Sequence, residues 1–216
     1  MSATVRKSRA EAHTEAQRDR ILCAARQCFI DSGFHAASMA SIAETAGISA
    51  GLIYRYFENK NAIILAIIAH HLAEIQADIR KLQAASAVVE NHIVGRFQSW
   101  QRQECLTLNP GLLLEIVALA SRDPQVAEAL CAADQRIRVE LSAWLLRAWR
   151  NAGCELAESE ALERVFVLQC FIEGLVIRSI KQPESDLALL QQSLRPLLAW
   201  LLPGDLEPPA AEADAP

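Results

Sequence analysis

Residues 38–60, SMASIAETAGISAGLIYRYFENK, decide how the rest of the chain is read. Ser38 stands just before a periodic apolar stretch, where its hydroxyl can accept a hydrogen bond from one of the free amides that open a helix. Met39, Ile42, Ala43 and Ala46 then recur on one helical face. Gly47 interrupts, and glycine alone takes up a positive backbone angle without a Cβ penalty. Ser49 caps a second stretch, Ala50 to Phe57, in which Ile53 and Phe57 lie four apart on one side. Two short helices joined by a glycine turn form a helix-turn-helix, and its second helix is thin enough to enter a DNA major groove about 12 Å wide.

Outward from this segment the chain reads as helical throughout. Ala, Leu, Glu, Gln and Arg are plentiful, whereas no strand-like alternation is long enough to count. Residues 1–15 open with Arg6, Lys7 and Arg9 and read as a flexible basic arm, either touching DNA or simply solvated. Between residues 16 and 32, Ile21, Ala24, Ala25, Cys28 and Phe29 follow helical spacing, with Gly33 as the stop. A long helix is predicted from Glu58 to near Ala84, then helices at about 87–106, 111–121, 124–152, 158–181 and 185–202. The expected fold is all-α with about nine helices: a three-helix DNA-binding head at 16–62, then a larger effector-binding and dimerisation domain at 63–202. Pro196 predicts a kink or break in the last helix. The acidic, Pro-rich residues 203–216 have too few apolar groups to order and are expected to be a disordered tail.

Composition bounds the function. The 216 residues are 52% hydrophobic with 21 Lys+Arg against 26 Asp+Glu, a balance that excludes a disordered or collagen-like chain. Six scattered cysteines form no CxxC pair and read as reduced, buried thiols of a cytoplasmic protein. Uninterrupted apolar runs such as residues 62–69 fall short of the ~18 residues of a membrane span, so no membrane partner is expected. The net charge of −5 disfavours a polyanion partner only until it is divided: residues 1–60 hold 8 basic and 6 acidic groups, and the acidity lies beyond them. No nucleophile elbow, HExxH, Walker loop or dinucleotide fingerprint is present, which argues against an enzyme. His70 and Glu74 have ligand-like spacing but no further partners, so neither a metal nor another cofactor is expected.

The 38–60 segment strongly resembles the TetR/AcrR family of transcriptional regulators. The resemblance rests on Ile42-Ala43, Ala46-Gly47-Ile48-Ser49, Gly51, Tyr54, Tyr56-Phe57 and Lys60, preceded by Ala24-Ala25, Phe29 and Gly33-Phe34. Ser38 and Asn61 depart from the more usual Thr and acidic residue. The resemblance implies a homodimeric repressor that binds double-stranded, near-palindromic operator DNA and is released by a small effector. Tyr54, Tyr56 and Lys60 match its phosphate contacts, and Ser38 can serve the same end. Ser49, Ala50, Leu52 and Arg55 occupy the remaining exposed face. There Leu52 or Ala50 can meet a thymine methyl, and Arg55 either reads guanine or stays a phosphate contact or solvated charge. An all-helical carrier or enzyme with a merely structural helix-turn-helix is the alternative.

The C-terminal helices read differently. Residues 160–181 are apolar on nearly every face, which requires cover on both sides. Pairing them and 187–202 with a second copy would give a four-helix interface, expected to use Phe166, Cys170, Ile177, Leu190, Leu194, Leu197 and Leu201. An effector pocket is sought among Phe97, Trp100, Glu115, Leu119, Trp144, Phe166 and Glu173, each of which has a plain core or surface reading as well.

Overall fold

The structure, a computed structural model, describes residues 2–82, 86–102, 109–184 and 186–204, with side chains from residue 11 onward apart from that of residue 86. Among the described residues there are nine helices and no strand. They are α1 (Ser2–Ala36), α2 (Met39–Thr45), α3 (Ala50–Ile53), α4 (Lys60–Lys81), α5 (Ser86–Gln101), α6 (Pro110–Ala120), α7 (Pro124–Asn151), α8 (Glu158–Lys181) and α9 (Leu187–Leu201). Cys105 and the tail from residue 205 lie outside the described residues.

Most helix starts follow from local chemistry. Asn59 Oδ1 accepts the amide of Ala62 at 2.9 Å to open α4, and Asn109 Oδ1 accepts that of Leu112 at 3.1 Å to open α6. Asp123 takes the amides of Gln125 and Val126 at the start of α7, and Asp186 that of Ala188 at the start of α9. Each satisfies donors that the helix cannot, a contribution of about 1 kcal/mol apiece.

Four expectations are corrected here. The arm expected at 1–15 is helical from Ser2, as its Arg, Ala, Glu and Gln residues favour. Pro196 lies within α9 with no break there, and the Gln192 carbonyl that loses its donor is on the exposed side of the helix. Cys23, Cys131 and Cys170 are exposed rather than buried, and Cys28 and Cys154 half-buried. By length and composition α4 can cross a membrane, which counting unbroken runs excluded: its interruptions, such as His70 and His71, are polar without being acidic or lysine-like. Ile63, Ile64, Ile67, Ile68, Leu72 and Ile79 of α4 are buried within the chain, as in a core helix.

The residues form two compact units. One contains Met1–Ile75 and Arg102–Gln135; the other contains Gln76–Gln101 and Arg136–Pro216. The division does not fall at residue 62 as expected. The first unit takes in the start of α4, α6 and the start of α7 along with the helix-turn-helix, because α6 packs on α1. Its core is Ile21, Ala25, Phe29, Ile42, Ile53 and Phe57, all at most 3% exposed, each large side chain contributing roughly 1.5–3 kcal/mol. In the second unit α5 packs against α8 and α9.

Candidate nucleic-acid interface

The helix-turn-helix is assembled from local bonds. Ser38 Oγ accepts the amide of Ser41 at 3.0 Å while Ser41 Oγ accepts that of Ser38 at 2.9 Å, a reciprocal capping box at the start of α2. At the other end Ile48 N–H donates to Ala43 O at 3.0 Å and Gly47 N–H to Glu44 O at 2.9 Å, with Gly47 at φ +62°. This is a Schellman motif, and its left-handed position explains the glycine. Ser49 then caps α3 by accepting Leu52 N–H at 3.2 Å. The regular helix is shorter than the Ala50–Phe57 stretch expected: beyond Ile53 the amides of Arg55 and Tyr56 bond three residues back, to Leu52 and Ile53. The tightening turns Phe57 inward, at 3% exposure.

Structural duties and outward-facing positions separate cleanly. Ile42, Ala43, Ile53 and Phe57 are buried, whereas Ser38, Ser49, Ala50, Gly51, Tyr54 and Arg55 are exposed, and Leu52 and Tyr56 are half-buried. Tyr54 is 57% exposed, too open for a core tyrosine. It borders a concavity of about 460 Å³ with Met39, Glu58, Asn59, Lys60 and Asn61 around it.

Lys60 is a correction. Its ammonium donates to Phe34 O and Ala37 O at 2.6 Å each and to His35 O at 3.3 Å, and lies 4.6 Å from the centre of the Phe34 ring. Gly33, at φ +76° and ψ 161°, breaks the helical path of α1, and Lys60 gathers carbonyls of the last turn beyond that break. Burial lowers its pKa from the ordinary lysine value, while three carbonyl acceptors oppose loss of the proton. All three donors of the group are engaged by backbone, so none points outward to a phosphate.

Three residues of this unit have roles that sequence reading did not assign to them. Arg18 donates to Tyr56 O at 3.0 Å and stacks on Phe57 at 4.4 Å, closing the end of the recognition turn. Its spacing to Leu22, Ala25 and Phe29 marks it as an inward position, the signal that was available. Glu115, expected near an effector, instead accepts Phe34 N–H at 3.2 Å. Asn61 donates through Nδ2 to Asp123 Oδ2 at 2.5 Å, which accounts for its departure from an acidic residue: a carboxylate at 61 would face another with no proton between them.

The expected effector set is not brought together. Glu115 and Leu119 belong to the first unit and the remainder to the second. Trp100 is buried, Trp144 donates its indole N–H to Leu82 O at 3.0 Å, and Phe166 and Glu173 are exposed on α8. Phe97 alone of the set lines the cavity of about 800 Å³ between α5, α8 and α9. Phe171, Leu175 and Leu190 give this cavity an apolar floor, and Arg178 and Asp186 stand among its polar lining.

The expected dimer set divides as well. Phe166, Cys170 and Ile177 fall with Leu162 and Ile180 on one exposed stripe of α8. Leu190, Leu194 and Leu201 are buried in their own unit and Leu197 is half-buried, since this face of α9 packs inward. The exposed residues of α9 include Leu189, Pro196 and Trp200 among Gln192, Ser193 and Arg195. Among the described residues no group of His, Cys, Asp and Glu is arranged to hold a metal ion.

A capped helix, a Schellman turn and a short second helix, with α2 packed on α1, form a helix-turn-helix of the kind that enters DNA major grooves. Residues 21–67 match the family described as "Bacterial regulatory proteins, tetR family". Over this segment the chain is similar to that family. It is 37% identical over 123 residues to the HTH-type transcriptional regulator UidR of Escherichia coli K12, a match that covers 54% of this chain and 59% of that protein. It is 29% identical over 158 residues to the HTH-type transcriptional repressor AcnR of Corynebacterium jeikeium, covering 73% of this chain and 78% of the relative. Among solved structures, that of Salmonella enterica GusR superposes with a TM-score of 0.67 at 29% identity, covering 85% of this chain and 95% of the other.

Proposed function

We propose that this protein is a cytoplasmic, homodimeric regulator of transcription, a repressor rather than an enzyme, which binds a near-palindromic operator and releases it on binding a small effector. The observation that carries the reading is the separation at the recognition turn: buried Ile53 and Phe57 hold it, while Ser49, Ala50, Tyr54 and Arg55 face solvent beside one another. Tyr54 and Tyr56 fix register on phosphate, with Ser38 at the start of α2, and Arg55 and Leu52 meet base edges. The cavity between α5, α8 and α9 is the candidate effector space, and its apolar floor suits a largely apolar compound.

The test is a mobility shift on DNA upstream of the protein's own gene at moderate salt. Wild type is expected to retain a specific fragment, Tyr54→Ala to weaken retention of every sequence, and Arg55→Ala to relax preference at particular base pairs by about 1–3 kcal/mol. Compounds that raise the melting temperature are expected to release the fragment. Folded wild-type protein that retains all fragments equally sinks the reading.

The dimer has its own check. Phe166 is 57% exposed, so Phe166→Asp leaves the fold intact while placing a charge on the apolar stripe of α8. Sedimentation is expected to show dimer for wild type and mostly monomer for the variant at micromolar concentration. A variant that stays fully dimeric moves the interface elsewhere.

A further inference from the structure

The helix-turn-helix is not joined to the rest of its unit by apolar packing alone. Two carboxylates on the elbow formed by α6 and the start of α7 grip it at two separate points. Glu115 of α6 accepts the amide of Phe34, next to the break at Gly33. Asp123, two residues after the C-cap Ser121 of α6, accepts from Asn61 Nδ2 in the first turn of α4. The same Asp123 spends its other oxygen on the amides of Gln125 and Val126, so its side chain is fixed by the helix it caps. Phe34 and Asn61 are in turn tied together by Lys60, whose ammonium sits on Phe34 O. Head, α4 start and elbow therefore close a ring of polar contacts within one compact unit.

We propose that this ring is a latch: Glu115 and Asp123 are positioning residues that make the head and the α6–α7 elbow move as one body and so set how the recognition turn is presented to DNA. The proposal rests on the DNA-binding reading above. A two-headed protein that spans two half-sites binds tightly only where their separation matches the separation of its heads. A latched head meets that separation already ordered. A loosened head tolerates several separations, but it must lose orientational freedom each time it binds, which lowers affinity. Apolar packing brings α1 and α6 together, and the two hydrogen bonds add directional ties at both ends of the head against the elbow.

The experiment uses the full-length chain and its footprinted upstream site, with the half-site separation lengthened or shortened one and two base pairs at a time. Wild type is expected to prefer one separation strongly. Asn61→Asp, which sets two carboxylates against each other, is expected to bind that separation about tenfold more weakly and to flatten the preference. Its preference among bases within a half-site should stay as in wild type. The exchanged pair Asn61→Asp with Asp123→Asn restores a donor between the two side chains and is expected to regain both affinity and separation preference. Glu115→Ala, which removes the acceptor of the Phe34 N–H, is expected to flatten the preference more mildly, and it carries the test if Asn61→Asp does not fold. An unchanged separation preference in the folded variants overturns the latch. So does an exchanged pair no better than Asn61→Asp alone. A wild type that binds specifically while the variants match it rejects the latch and keeps the regulator; a wild type that binds no DNA specifically rejects both.

Discussion

Arg164→Ala is expected to lose about 3–5 kcal/mol of stability. Arg164 is only 7% exposed, and its guanidinium lies between two indoles, 4.6 Å from the Trp149 ring and 5.3 Å from that of Trp200. Nη1 donates to Trp200 O at 2.5 Å and reaches Leu201 O at 3.5 Å, and Nη2 donates to Glu160 Oε1 at 2.5 Å. Trp149 adds its own indole N–H to Leu201 O at 3.1 Å. The last carbonyls of α9 therefore receive a buried cation where the helix dipole is negative. Alanine would leave those carbonyls short of donors, Glu160 without its ion pair and a void between the rings. Arg164→Lys keeps the charge but loses the planar stack and the fork, so it is expected to recover less than half of the loss. Urea unfolding of the three proteins, followed by tryptophan fluorescence, provides the comparison. A cost for Arg164→Ala below about 1 kcal/mol, the range of an ordinary surface pair, would contradict this account.

Lys60→Met is expected to destabilise the DNA-binding unit by about 2 kcal/mol, because it removes a cation from three carbonyls that close the head. The figure is kept below the sum of three charge-assisted bonds because the group is half-exposed and water can replace part of the loss. A phosphate contact behaves differently: its removal leaves unfolding unchanged and lowers the salt slope of DNA binding by about one counterion. Thermal unfolding together with binding at several salt concentrations separates the two. A lower salt slope with an unchanged melting temperature would return Lys60 to the DNA surface.

What could be read from sequence depended on how far each residue's partner lay along the chain. Ser38, Gly47 and Ser49 act on groups within a few residues, and their roles as caps and turn follow from spacing alone. Ile42, Ile53 and Phe57 also announce themselves, since helical periodicity identifies an inward face without identifying its cover. Lys60, Glu115 and Asp123 have partners 62 to 81 residues away, or 23 to 26 in the case of Lys60, and nothing local distinguishes a lysine that caps a broken helix from one that meets phosphate. The last helix failed for a related reason. Its leucines are dense enough that composition calls the whole helix an interface, whereas the structure turns Leu190, Leu194 and Leu201 into the chain's own core and leaves Leu189 and Trp200 outside. Glu173 and Phe166 likewise sit in apolar stretches that resemble pocket walls until the helix is placed and both prove exposed.

The division of labour at the recognition turn bears on how such a protein changes over generations. Gly47 must stay glycine, and Ile53 and Phe57 must stay large and apolar, or the turn is lost. Ala50 and Arg55 are under no such obligation, for their side chains face solvent. A lineage can exchange those two while the scaffold beneath stands still, so a change in the outward chemistry of the turn lies a single substitution away without passing through an unfolded ancestor.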